Sequence, residues 1–457
     1  MTAGNASLGS LPDELILEVL LYLNTIRSSE TQSTAFKQKE KEKARQRENR
    51  NRQRTLWSLC LTSRCLKRLA TPFLYASFTG SATWYGIEPL RLFHKTITTT
   101  GVLPDQGYIY AQHIQYVETR LSDYLGNNLY ADTALPDAIH MVARYFYLLA
   151  EIVKCAPNLQ HLSVTSLETS DVSFWRYLLP EEDSTSPSSS AITNHSFNNL
   201  QTLCVQTHIR GFGSGTRAVS FSSICEAIAS APLLSDFRAS SVMTTGLSGP
   251  ELGSDSFKSL QRLEITECVV DIDSVASVLS VCEGLRNILC SWAYLDTVGE
   301  TPSDLSPGLL RHSDTLETLY LDFREVRCDP EITTSQCLGS LRQFKQLKAL
   351  TISQKGFLGE DWPEPDITDL STRNRIVELL PLELKSFTLL VDADDYEREW
   401  ETLDDLFDMW TLSEACRSSA LSLTSVNIKL DSGRHEAIGL MEAFSQAGVG
   451  FKIITER

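Results

Sequence analysis

Two short segments carry residue types at spacings that could do chemistry. Gly211-Phe212-Gly213-Ser214-Gly215-Thr216 follows a strand-like pattern and precedes a helical one. That is the setting in which backbone N–H groups cradle a phosphate. The third glycine of the dinucleotide fingerprint is missing, and no lysine follows to complete a P-loop. A connection between repeats accounts for the glycines. Asp392-Ala393-Asp394-Asp395-Tyr396-Glu397 gathers carboxylates as a calcium loop does. Yet Glu397 stands where the sharp-turn glycine is needed, and Leu403 where the bidentate glutamate is needed. The run reads as a solvated loop and helix start, with Trp400, Leu403, Phe407 and Trp410 packing inward. Eight histidines form neither an HExxH pair nor a Cys/His cluster at zinc spacing, and no GxSxG elbow is present. The expectation is a non-enzymatic protein without cofactor or metal; an α/β enzyme built on the Gly211 loop is the competing class.

Composition narrows the partners. The chain has 457 residues, 42% of them hydrophobic, and a net charge of −17. It is long enough to bury a large core. Between Arg27 and Arg54 lie ten basic and four acidic residues, so the remainder carries −23. Such a field repels phosphate, and nucleic-acid binding by the whole chain is not expected. The basic segment has almost nothing apolar to bury and reads as a disordered insert or a lone solvated helix; a nuclear-import signal is its alternative use. No apolar run reaches the length of a membrane span, and the first residues lack a signal-peptide core. Eleven cysteines without a CxxC pair read as reduced core residues of an intracellular protein, in cytoplasm or nucleus.

The element that must position any site is a short repeat, aliphatic-x-x-aliphatic-x-aliphatic. It occurs at Leu159–Val164, Leu200–Val205, Leu260–Ile265, Leu316–Leu321 and Leu347–Ile352, and more loosely at Ile114–Thr119, Leu234–Ala239, Leu285–Cys290, Leu384–Leu389 and Leu423–Ile428. Helical three-four spacing fills the intervals at 138–154, 221–231, 272–282, 334–344 and 436–447. A strand, a loop and a helix per unit, stacked on its neighbours, makes a parallel sheet with helices outside. The pattern resembles irregular leucine-rich repeats; a doubly wound α/β domain is the alternative architecture. Segments 181–196, 240–256 and 356–369 read as loops at a repeat edge, the first of them disordered. In the resemblance, the residue between the last two aliphatics faces the concave surface. That row is Ser163, Cys204, Arg238, Glu264, Leu289, Tyr320, Thr351, Thr388 and Asn427, with Asp322 in the next row out. Candidates for a substrate face are Arg238, Glu264, Leu289, Tyr320, Asp322 and Asn427, aromatic and apolar anchors ringed by polar groups.

The first eighty residues hold two further amphipathic segments. In Leu11-Pro12-Asp13-Glu14-Leu15-Ile16-Leu17-Glu18-Val19-Leu20-Leu21-Tyr22-Leu23 the apolar stripe is Leu11, Leu15, Val19 and Leu23, with Ile16 and Leu20 beside it. Asp13 and Glu14 complement the first turn. Leu56 to Tyr75 continues with Leu59, Leu66, Leu69 and Phe73 near one face, and Pro72 near its end. Closed over the insert, Leu-Pro-x-Glu, the aliphatic helix and Leu-x-x-x-Ser-Arg-x-Leu-x-x-Leu-Ala-x-Pro resemble an F-box in the form common to fungal proteins.

That resemblance implies a partner, the Skp adaptor of a cullin–RING ubiquitin ligase, and a non-catalytic role in holding a protein substrate near the transferring enzyme. The residues matching the family's adaptor-facing positions are Leu11, Pro12, Leu15, Ile16, Val19, Leu20, Leu56, Leu59, Leu66 and Leu69. The departure is the insert, where the family has only a few residues. The expected organisation is therefore α/β: a small all-α F-box-like domain over 1–78 with a disordered insert at 27–54, then an irregular leucine-rich-repeat domain over 79–457. A leucine-rich-repeat scaffold with no ligase connection is the alternative.

Overall fold

The computed structural model describes residues 11–28, 39–82, 86–99, 102–103, 107–120, 136–167, 172–178, 197–208, 220–229, 231–244, 250–329, 332–359, 375–391, 407–430 and 437–455. The protein is a mixed α/β chain with a large parallel sheet, and its contacts divide it into two compact units. The first comprises 1–219 with 231–234; the second comprises 220–230 with 235–457. Residues 1–78, expected as a domain, lie inside the first unit together with the first strands.

The first unit opens with α1 (Asp13–Leu21), α2 (Lys39–Thr62) and α3 (Arg64–Tyr75), followed by β1 (Ser77–Ser81) and α4 (Ile87–Thr99). After β2 (Val102–Leu103) and β3 (Gly107–Tyr108), a small antiparallel pair, come β4 (Tyr116–Arg120), α5 (Pro136–Lys154), β5 (His161–Leu167), α6 (Phe174–Leu178) and β6 (Thr202–His208). Strands β1, β4, β5 and β6 lie side by side, all parallel. Helix α5 buries Val142, Tyr145, Phe146, Leu149, Ile152 and Val153, the three-four stripe read from its sequence.

The second unit continues with α7 (Phe221–Ile228), β7 (Asp236–Ser240), β8 (Arg262–Cys268), α8 (Ile272–Val281), β9 (Asn287–Trp292) and β10 (Leu295–Val298). Next are α9 (Ser306–Leu310), β11 (Thr318–Asp322), β12 (Val326–Asp329), β13 (Ala349–Ser353), α10 (Gln354–Leu358), α11 (Arg375–Leu379) and β14 (Ser386–Val391). Finally come α12 (Phe407–Arg417), β15 (Ser425–Leu430), α13 (Ile438–Gln446) and β16 (Gly450–Thr455). Strands β7, β8, β9, β11, β13, β14, β15 and β16 are neighbours in that order and parallel throughout; β10 and β12 form a separate parallel pair. Within each unit the strand order follows the chain without reversal.

Every one of the ten sequence repeats holds a strand, which starts two residues into it. In the second unit the first aliphatic (Leu260, Leu285, Leu316, Leu347, Leu384), the fourth residue (Leu263, Ile288, Leu319, Leu350, Phe387) and the sixth (Ile265, Cys290, Leu321, Ile352, Leu389) are all buried. The fourth and sixth share a face because strand side chains alternate. The first sits in the turn before the strand, where the second residue of each repeat donates its N–H to the unit before: Arg286 to Gln261 O, Glu317 to Arg286 O and Lys348 to Glu317 O, at 2.8–2.9 Å. Strands β1, the first of the first unit, and β16, the last of the second, carry no full copy of the repeat.

One expected helix does not form. Residues 334–344 make only a single 3-10 turn, Thr334–Gln336. Gly339 takes φ +81° in the middle of the segment, a conformation no right-handed helix contains. Leu338, Leu341 and Phe344 still bury their side chains, so the apolar spacing was satisfied by turns. Of the three expected loops, 181–196 lies outside the described residues, as do parts of the other two; Gly356 and Phe357, which opened the third, are helical.

Gly356 shows how tight this packing is. A Cβ there would collide with the ring of Phe323, which stacks on Trp292 with centroids 4.7 Å apart. Trp292 in turn donates its indole N–H to Val270 O at 2.7 Å, so the pair has no free direction of retreat. Gly356→Ala is expected to destabilise the protein by about 1–3 kcal/mol, seen as a lower urea midpoint. An unchanged midpoint would show that the aromatic stack yields.

Candidate functional site

The three N-terminal helices pack into a small core of their own. Ile16 and Leu20 of α1, Leu56 of α2, and Leu66, Leu69 and Ala70 of α3 are buried together, with Leu23, Leu59, Cys60, Phe73 and Leu74 packed against them. Ser63 starts α3 by accepting the Leu66 N–H at 3.1 Å. This sorts the ten residues singled out for adaptor contact. Leu11, Pro12, Leu15 and Val19 are exposed, while Ile16, Leu20, Leu56, Leu66 and Leu69 are buried in the core and Leu59 is half-buried. The buried five hold the helices to one another and offer no surface to a partner, a correction that follows from how little core a unit of this size can assemble. Spacing alone missed much of the exposed apolar surface: Tyr22 is 79% exposed, Leu61 67% and Trp57 57%. The separation of Trp57 and Leu61 by four residues was the available signal.

The insert is the larger correction. Apart from Arg27 and Ser28 its described part is 39–54, which is neither disordered nor a lone solvated helix, but the first four turns of α2, continuous with the helix that carries Leu56 and Leu59. Two side chains pin it. Asn49 is buried and pairs with the backbone of Ile26 in both directions, accepting the N–H at 2.8 Å and donating to the carbonyl at 2.9 Å. Arg45 reaches Glu118 on β4 with both guanidinium nitrogens, Nη2 to Oε1 at 2.6 Å and Nη1 to Oε2 at 3.1 Å. It also pairs with Glu42 at 2.7 Å, and Arg120 closes the ring by contacting Glu118 and Glu42 at 2.7 Å each. The Tyr116 hydroxyl donates to Glu118 and accepts the Ser28 N–H. Burial by itself raises the pKa of Glu118, but the charges of Arg120 and Arg45 outweigh it and hold the carboxyl below its usual range.

The strand row forms as expected. In the second unit Arg238, Glu264, Leu289, Tyr320, Thr351, Thr388 and Asn427 are successive register partners, and Lys452 extends the line. In the first unit Thr79, Glu118, Ser163 and Cys204 do the same. The charged candidates, however, are already paired, mostly with residues outside the row. Arg238 pairs with Asp236 at 2.6 Å and lies 3.9 Å from Glu264, which is held by Arg262 at 2.8 Å. Asp322 forks with Arg324 at 2.7 and 2.9 Å and takes the Tyr320 hydroxyl at 3.3 Å. Arg238, Glu264 and Asp322 are buried, whereas Leu289, Tyr320, Thr351 and Asn427 remain half open. The close pairs join residues two positions apart along the chain, Asp236 with Arg238, Arg262 with Glu264 and Asp322 with Arg324, whereas the longer Arg238–Glu264 contact crosses between strands.

The Gly211 loop and the 392–397 acidic run lie outside the described residues. Among the described residues no group of His, Cys, Asp and Glu could hold a metal ion, all eleven cysteines are free thiols, and no helix is long and apolar enough to cross a membrane. No protein-family model matches the chain, and no curated protein matches it.

The Arg45–Glu118 contact makes a testable pH dependence. Glu118→Gln removes the buried charge that two partly exposed guanidinium groups pair with and is expected to cost about 3 kcal/mol in urea unfolding at neutral pH. Because the folded pKa is depressed, the stabilisation from Glu118 is complete above about pH 4.3 and is lost as pH falls from there through the lower folded value. The acid-side fall in stability should therefore be shallower in the variant; parallel curves would remove Glu118 from the linkage.

Proposed function

We propose that this chain is the substrate-recognition subunit of a Skp–cullin–F-box ubiquitin ligase. Helices α1–α3 serve as the F-box, and the strand-and-helix units behind them as an irregular leucine-rich-repeat solenoid that binds a protein substrate on its strand row. The observation that carries the reading is the division of labour on α1. Ile16 and Leu20 close a small core while Leu11, Pro12, Leu15 and Val19 of the Leu-Pro motif stay exposed. An apolar face on a helix that already has its core filled is a surface for a partner.

The strand order within each unit favours repeats over a doubly wound sheet. A doubly wound sheet reverses its order at a switch point, where its ligand binds. These strands run in chain order throughout. On this reading the half-open Leu289, Tyr320, Thr351 and Asn427 make the substrate contacts. The ion pairs of Arg238, Glu264 and Asp322 hold the floor beneath. The protein performs no chemistry of its own, needs no cofactor, and works in cytoplasm or nucleus. A repeat scaffold with no ligase connection remains the second reading, since the same strand row would serve it.

Co-purification with a Skp adaptor separates the two. The full chain should capture the adaptor, and Leu15→Ala/Val19→Ala should reduce capture at least about tenfold without changing the urea midpoint, because both residues are exposed. No complex with the wild-type chain would discard the ligase reading in favour of the scaffold.

A further inference from the structure

Helix α2 is longer than a three-helix unit needs, and its two faces differ along their whole length. At 100° per residue, Arg45, Asn49, Arg52, Leu56 and Leu59 fall on one side. That side is engaged throughout: Arg45 with Glu42 and Glu118, Asn49 with Ile26, Arg52 with Glu48 and Asn24 O, and Leu56 and Leu59 with the helical core. The opposite side carries Arg47, Arg50, Arg54, Trp57 and Leu61, all exposed. Among the described residues Arg47 and Arg54 form no ion pair, and Arg50 makes only a 3.4 Å contact with the carbonyl of Gln46, one turn back.

The helix therefore displays a single stripe, basic over its first half and aromatic-aliphatic over its second. From Arg47 to Leu61 it runs about 21 Å at 1.5 Å per residue. Because Arg45 is locked to β4, the basic half is held in line with Trp57 and is not free to swing away.

Resting on the ligase reading above, we propose that this stripe is an extension of the adaptor-docking surface. Trp57 and Leu61 enter an apolar groove of the adaptor, and Arg47, Arg50 and Arg54 engage an acidic segment beside it. Charge decides the class of occupant. The rest of the chain carries −23, a field that opposes an extended polyanion such as nucleic acid or an anionic bilayer. A short acidic peptide segment meets three arginines within about 10 Å and ends before that field dominates. An insert that lies inside a docking motif thus adds to the docking surface instead of interrupting it.

The experiment measures binding of the full-length chain to purified Skp adaptor at low and high salt. The variants are Arg47→Glu/Arg50→Glu/Arg54→Glu, the matching triple Lys variant, and Leu15→Ala/Val19→Ala as a reference. The Glu triple should lose at least about tenfold in affinity at low salt, mostly through slower association, and should lose the salt dependence of the wild type. The Lys triple should retain both. Equal affinity and salt dependence for wild type and Glu triple, with Leu15→Ala/Val19→Ala still impaired, would overturn the inference and leave the ligase reading intact. A wild-type chain that does not bind adaptor overturns both. Charge-dependent binding to single-stranded RNA or phosphatidylserine vesicles, with adaptor binding indifferent to the stripe, would assign it to a polyanion instead. Unchanged far-UV circular dichroism shows that the variants remain helical.

Discussion

A parallel strand cannot satisfy itself. Its N–H and C=O groups need a strand on each side, and its inward side chains need a layer to cover them. In the second unit that requirement is met six times over by the same buried positions and the same stacked turn, from Ser235 and Gln261 through Lys385 and Thr424. Each repeat finishes the one before it and leaves its own far edge unfinished. Departures are tolerated between strands, where 334–344 makes turns and β10 pairs with β12 off to one side. The strands themselves keep register, apart from one irregularity between Ile265 and Cys268.

The row of outward positions inherits this spacing, with a consequence for recognition. Arg238, Glu264 and Asp322 each pair with an opposite charge two residues away, and once paired and buried they stiffen the floor rather than projecting from it. What remains open between Leu289 and Asn427 is an apolar, aromatic, hydroxyl and amide surface without charge, and only Lys452 at the end of the line is charged and exposed. A partner there would be recognised by shape and hydrogen bonding more than by net charge.

In the first unit the constraint is the cost of burying guanidinium and carboxylate groups. Arg45, Arg120, Glu42 and Glu118 lie together because each would be intolerable in that place without the others. The cluster joins a helix whose sequence is almost wholly polar to a strand of the sheet. It also divides the arginines of α2 into those consumed by structure and those left on the surface.

Much of this was legible residue by residue. The aliphatic pattern located ten strands to within two residues, because burial of alternating side chains has a period that composition cannot hide. The line from Arg238 to Asn427 followed from that period. Four of the five expected helices also formed, the exception being the segment where Gly339 adopts a positive φ. Local pattern could not say which of two apolar neighbours on α1 faces the core: Ile16 and Leu15 read alike until α3 is in place to cover one of them. Nor could it recover the fate of the insert. Ten cations in a row look solvated, and only tertiary structure supplies Glu118, seventy-three residues away from Arg45, to make one of them worth burying. The sequence by itself determined the strands, their order of burial and the apolar character of the first helix, since these depend on neighbours within one turn or one strand. Which charges are buried, which leucines are spent and which face of α2 is left open were decided by the fold, because each depends on a partner the local sequence does not contain.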